Sequence, residues 1–159
     1  MSAVSIREAQ VADVPLIQRF ILELAEFEKL SHEVDISEET LRESLFGERS
    51  YAYVIIAEIE SEPVGFAVYF FNYSTFLGRQ GLYIEDLYVL PDRRSEGVGK
   101  ALFRYCAGVA LEKRCGRLEF AVLHWNPARQ FYERLGAMPM DDWIMYRLTG
   151  SALEKAVKL

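Results

Sequence analysis

The stretch "RRSEGVGKALFRY", residues 93–105, puts two arginines ahead of Gly-x-Gly and runs at once into an apolar helical repeat. A glycine turn that opens a helix leaves the N–H groups of the first turn unpaired, and such groups, helped by the helix dipole, bind anions. Gly97 and Gly99 would let phosphate oxygens reach the main chain with no Cβ in the way, while Arg93, Arg94 and Lys100 add charge. The chemistry is that of a pyrophosphate cradle. The plainer reading is a tight strand-to-helix turn with solvated arginines. Two nucleotide motifs are excluded: a Walker A loop needs Ser or Thr after Lys100, where Ala101 stands, and a Rossmann fingerprint needs a third glycine, where Leu102 stands.

Further groups with chemical potential flank this segment. Glu85 lies in the apolar and aromatic run "GLYIEDLYVL", where desolvation would raise its pKa toward that of a useful base; strand alternation sends Glu85 and Asp86 to opposite faces. The plainer reading of Glu85 is a cross-strand ion pair, and Asp86 reads as a structural acceptor of backbone N–H bonds. Tyr132 shares a helical stripe with Ala128 and Leu135 and by pattern alone is a core aromatic. Asn126 before Pro127 suits an N-cap with proline at the first helical position.

The elements that must position these groups can be read in order. "AVSIREA" is a short strand, and Leu16, Ile17, Phe20, Ile21, Leu24 and Phe27 give an amphipathic helix over about 12–29 with an acidic end at Glu23, Glu26 and Glu28. Ser37 caps a second helix running to Gly47. "AYVIIAEIE" and "PVGFAVYFFNY" form a hairpin, "GLYIEDLYVL" is the next strand, and residues about 97–113 form a helix whose stripe includes Val98, Leu102 and Cys106. "RLEFAVLHW" is a strand, "NPARQFYERLG" a helix ending at Gly136, "WIMYRL" a last strand, and "SALEKAVKL" a closing helix. Hairpins first and strand–helix–strand later predict a mixed α+β sheet, antiparallel before it is parallel.

The 159 residues, 51% hydrophobic, suffice for one core and show no repeat or linker, so a single domain over 1–159 is expected. Net charge −6 argues against a phosphate-tracking nucleic-acid binder and favours cationic small molecules. Cys106 and Cys115 fit no ligand spacing and read as reduced thiols; with only His32 and His124 and no clustered ligands, no metal is expected. No signal-like start or membrane-length apolar run is present, so a cytoplasmic protein without a membrane partner is expected.

"IEDLYVLPDRRSEGVGKAL" followed by "WNPARQFYERLGA" resembles the GNAT superfamily of acetyl-CoA-dependent N-acetyltransferases. Arg94, Gly97 and Gly99 match its Arg/Gln-x-x-Gly-x-Gly/Ala motif, and Asn126 with Tyr132 match its Asn-(x)5-Tyr element. Over nearly its whole length the chain is most similar to the polyamine (spermidine/spermine) and thialysine acetyltransferases, on "ELAEFEK", "VGFAVYFFNYSTFLG" and "YIEDLYV"; Ser74 and Phe76 follow the thialysine type. The resemblance implies a GNAT-like central mixed sheet flanked by about four helices. It implies acetyl-CoA as co-substrate, a homodimer, and acetyl transfer by direct attack of a primary amine of a small cationic substrate, whether diamine, polyamine or lysine-like amino acid. Acetylation of a protein or antibiotic amine, or a non-catalytic coenzyme A sensor, remain alternatives.

The same resemblance implies the site. Coenzyme A would lie on the amides of Ser95, Glu96, Gly97, Val98, Gly99 and Lys100 with Arg94, along the main chain of Leu87, Tyr88 and Val89, and against Asn126, Pro127, Ala128 and Arg129. Amides around Leu87 would serve the oxyanion, Glu85 would take the amine's proton through a water, and Tyr132 would be the general acid toward the thiolate. Substrate positions match Phe27, Glu28, Glu85, Glu119, Phe120, Ala121 and Asp142.

Overall fold

A computed structural model describes residues 3–159 as two compact units, the first running to Ala121 and the second spanning Val122–Leu159. The first contains β1 (Val4–Glu8), α1 (Val14–Phe27), α2 (Glu38–Phe46), β2 (Tyr53–Ile59), β3 (Glu62–Ser74), β4 (Arg79–Val89), α3 (Val98–Glu112) and β5 (Leu118–Phe120). The second contains α4 (Ala128–Arg134) and α5 (Gly150–Ala156). One five-stranded sheet has the order β1-β2-β3-β4-β5. Its first four strands pair antiparallel, and β4 pairs parallel with β5. The mixed sheet expected from the order of elements is therefore observed.

Both faces of the sheet are covered, which is why β2 and β3 read as nearly continuous apolar runs rather than as alternating ones. One cluster joins Val98, Leu102, Cys106 and Ala110 of α3 to Ile55, Ala57, Ala67, Tyr69, Leu82 and Ile84. The other joins Val14, Ile17, Phe20 and Leu24 of α1 to Val54, Phe66, Val68 and Tyr88. Phe20 packs 5.4 Å from Phe66 and 5.9 Å from Tyr88, ring centre to ring centre. Cys106 is fully buried in the α3 layer and its thiol is pushed up to about 12, so it behaves as a small core hydrophobe.

Local chemistry fixes the helix starts. Ser37 Oγ accepts from the Thr40 amide at 3.1 Å, and Thr40 Oγ1 accepts from the Ser37 amide at 3.0 Å, a capping box with threonine in the place usually held by glutamate. No helix among the described residues is long and apolar enough to cross a membrane. Residues 143–148, expected as a last strand, form none. Alternation supplies a strand's pattern, but a strand exists only through pairing, and the sheet ends at β5.

In β4 the strand register changes. Val68 pairs with Asp86 and Tyr69 with Ile84, so Glu85 is an extra residue opposite β3. A one-residue insertion moves every later side chain to the other face. Leu82 and Ile84 accordingly face α3, whereas beyond the bulge it is Leu87 and Val89 that join the α3 layer, and Tyr88 turns to α1. The pattern of apolar residues in "LYIEDLYV" records this break of phase at the two carboxylates.

Gly65 lets β3 and β4 approach at the last residues of β4, because a Cβ there would sit 2.6 Å from the Tyr88 carbonyl oxygen. Gly65→Ala is expected to destabilise the protein by roughly 1–3 kcal/mol, the range of an overpacked core. Urea denaturation measures it, and an unchanged midpoint would contradict the close contact.

Candidate active site

The bulge leaves β4 with an open edge. Its parallel pairing to β5 covers only Leu82, Tyr83 and Ile84, so from Glu85 to Val89 that edge has no strand partner among the described residues. Immediately beyond it the chain makes a short turn at Pro91–Arg93, passes through Ser95 at φ 73° and Gly97 at φ 84°, and enters α3. Glycine is favoured at position 97 on conformational grounds, and Ser95 carries the strain of the same left-handed region. No side chain caps α3, and its first return bond runs from the Ala101 amide to the Gly97 carbonyl at 3.0 Å. The amides of Val98, Gly99 and Lys100 precede that bond and are available to an anion.

Gly99 has a different reason for lacking a side chain. A Cβ there would meet only Leu87 Cδ2 and Val89 Cγ2, each at 3.8 Å, which is ordinary contact. Neither backbone strain nor packing requires glycine, and within a helix it costs up to about 1 kcal/mol relative to alanine. The vacancy lies between the start of α3 and the open half of β4, as a cradle for a diphosphate would. The residues present therefore fit the coenzyme.

Arg94 is already oriented. Its Nε donates to the Val89 carbonyl at 3.2 Å, and its guanidinium lies 4.5 Å from the centre of the Phe27 ring and 6.0 Å from that of Tyr88. Arg93 lies 3.9 Å from Glu96 within the turn. The Tyr88 hydroxyl donates to Glu23 Oε2 at 3.1 Å, and burial with the Glu23 contact pushes this phenol up to about 12. The side chain of Tyr88 is thus anchored to α1, and only its main chain is left for a ligand.

Four carboxylates act on this face of the first unit. Burial pushes the Asp86 carboxyl up to about 7, with further contributions from the charges of Glu85 and Glu28. Burial also raises Glu28 at the end of α1. The Tyr83 phenol is raised by burial and then by Glu85 and Glu119, which links the same group through β5. Two expectations change here. The desolvation expected for Glu85 falls on its neighbour, because the bulge leaves Glu85 exposed and tucks Asp86 in opposite Val68. Backbone amides, expected to satisfy Asp86, are not among the groups that set its ionisation.

The remaining positions of this unit expected to meet substrate are engaged with the protein's own groups. Glu119 accepts from Arg117 Nε at 2.8 Å and from Asn72 Nδ2 at 3.4 Å, and Phe120 packs edge-on against Phe103 with ring centres 5.7 Å apart. Ala121 closes the unit. Among the described residues no group of three His, Cys, Asp or Glu could hold a metal ion.

In the second unit, Asn126 Oδ1 accepts from the Ala128 amide at 2.9 Å, as a capping residue would, although α4 begins one residue later than expected, at Ala128, with Pro127 in the cap position. Arg129 donates to the His124 carbonyl at 3.1 Å and lies 3.8 Å from Glu133, so its charge is used within this unit. Phe131 and Tyr132 have ring centres 5.2 Å apart. The Ala137 amide donates to the Tyr132 carbonyl, and Gly136 at φ 94° ends the helix as expected. Asp142 follows in the same unit.

The model of the acetyltransferase (GNAT) family matches residues 19–137. The chain belongs to this family. It is 42% identical to the mouse (Mus musculus) thialysine N-epsilon-acetyltransferase over 98% of both chains. It is 31% identical to the L-ornithine N5-acetyltransferase of Arabidopsis thaliana, over 97% of this chain and 88% of the relative. Among solved structures, an integron cassette protein from the mobile metagenome of V. cholerae superposes with a TM-score of 0.81 at 28% identity, over 100% of this chain and 99% of that one. The protein is an acetyltransferase of the GNAT fold, and acetyl-CoA is the co-substrate of its family.

Two outcomes follow from this geometry. Since an unfolded aspartate ionises near 3.9 and native Asp86 near 7, folding takes up a proton between those values. The Asp86 contribution is therefore complete below pH 4 and is lost as pH rises through 7. Asp86→Asn should remove that fall, gaining roughly 4 kcal/mol on the wild type between pH 4 and pH 8 in urea titrations; parallel curves would contradict the desolvated carboxyl. Gly99→Ala should stabilise the free protein by roughly 0.5–1 kcal/mol, yet weaken coenzyme A about tenfold or more by calorimetry. Unchanged affinity would remove Gly99 from the cradle.

Proposed function

We propose that the protein transfers the acetyl group of acetyl-CoA to a primary amine of a small cationic molecule: a lysine- or ornithine-like amino acid, a diamine or a polyamine. The observation that carries this reading is the group of carboxylates Glu28, Glu85 and Asp86, whose charges act on one another where the open half of β4 begins, with Glu119, paired to Arg117, one step away opposite Tyr83. Such a set favours an ammonium ion and holds it where a proton can be taken from it. The names of the thialysine and ornithine acetyltransferases to which the chain is similar support the same substrate class.

When bound, the co-substrate supplies an activated carbonyl and a thiolate leaving group. The chain's own residues do the rest. The amides at the start of α3 with Arg94 hold the diphosphate, and the main chain of Leu87, Tyr88 and Val89 carries the arm and meets the developing oxyanion. Glu85, exposed at the bulge, accepts the proton of the ammonium through a water. Asp86, neutral below about pH 7 and charged above it, sets the field in which that proton leaves. Tyr132 returns a proton to the departing sulfur, and Asn126, Pro127, Ala128 and Arg129 add coenzyme contacts; family resemblance supports both roles.

We take 1–159 as one N-acetyltransferase domain, since the family match runs through the boundary at Ala121. Resemblance also supports a cytoplasmic homodimer, and the net charge of −6 suits amine rather than nucleic-acid partners.

The test is a panel of primary amines with acetyl-CoA, read by thiol release. Lysine-like amino acids, ornithine and diamines should turn over, and neutral amines of equal length should be poor. Coenzyme A binding without turnover of any amine would make the protein a sensor instead. Tyr132→Phe should lower kcat by roughly 10²–10⁴ with little change in coenzyme affinity, and a full-rate variant would end that role.

A further inference from the structure

Arg94 is expected to meet phosphate, yet its side chain is organised by α1, the element that carries the substrate-side residues. The planar cation lies over the Phe27 ring at 4.5 Å and at the limit of reach of Tyr88 at 6.0 Å. Nε is spent on the Val89 carbonyl at 3.2 Å. Stacking uses only the face of a guanidinium. Its terminal N–H groups lie in the plane and stay available to a bidentate anion. The shelf is itself held, because Tyr88 donates its hydroxyl to Glu23 at 3.1 Å and Arg19 lies 3.6 Å from Glu23.

We infer that Phe27 is a positioning residue for the coenzyme loop: with Tyr88 it holds Arg94 in the orientation that receives phosphate, so the amine side and the coenzyme side share one aromatic ring. This rests on the acetyl-CoA reading above and adds to it a link between the two subsites. Without the shelf, a long flexible arginine at an exposed position must be ordered by the ligand, at the expense of affinity. The alternative is that Phe27 only packs α1, in which case its effect on coenzyme binding does not pass through Arg94.

The experiment is a double-mutant cycle on the full chain, titrated calorimetrically with coenzyme A in the absence of any amine. Phe27→Leu should weaken binding about fivefold, and Phe27→Tyr, which keeps the ring, should bind like the wild type. Arg94→Lys, which keeps the charge and loses the flat face, should weaken binding about as much as Phe27→Leu, and at an exposed position it leaves the core intact. The double variant Phe27→Leu with Arg94→Lys should be no worse than either alone. Additive losses, or a Phe27→Leu protein that binds normally while the wild type also binds, would overturn the inference and leave acetyl transfer standing. A wild type that does not bind coenzyme A would overturn the acetyl-CoA reading itself, and this inference with it.

Discussion

The extra residue at Glu85 is the constraint on which the site depends. A strand paired on both edges and packed on both faces offers a ligand nothing. Inserting one residue in β4 ends its parallel pairing at Ile84, exposes the main chain from Glu85 onward, and exchanges the faces of all later side chains. Leu87 and Val89 thereby come to lie under Gly99, and Asp86 is drawn in while Glu85 is left out. The proposed place of the coenzyme, the polarity beside it and the ionisation of a carboxyl all trace to that single insertion.

Two glycines of the loop do separate jobs. Gly97 takes a left-handed backbone angle at no steric cost, an angle that Ser95 two residues earlier holds under strain. Gly99 has room for a side chain that neither its backbone nor its neighbours forbid, which is why it is assigned to the proposed cradle. Around them the charges are divided by sign: arginine and helix amides on the coenzyme side, carboxylates at the end of α1 and the bulge. On the proposed function, a thioester carrying phosphates and an amine carrying positive charge would be drawn to neighbouring parts of one unit without competing for the same groups.

Much of this was legible in the sequence. The 3.6-residue rhythm placed α1 and α3 within two residues of their observed ends, Ser37 announced α2, and the Gly-x-Gly spacing announced the turn into α3. What escaped depends on contacts distant in sequence. The bulge is a matter of register against β3, although the apolar positions 82, 84, 87 and 89 change parity across it. Burial could not be apportioned between Glu85 and Asp86 without that register. Strand pairing could not be foreseen for residues 143–148, whose pattern is adequate and whose ladder is missing. Nor does spacing reveal that Phe27 and Arg94, far apart along the chain, stack on each other.

The central claim is that the open half of β4 and the start of α3 together receive the coenzyme. Amide chemical-shift mapping during titration with coenzyme A tests it most directly. The account predicts the largest changes at Leu87–Val89 and at residues 95–100, with β1 and α2 unmoved. Saturable binding that left those amides unshifted and perturbed another surface would contradict it.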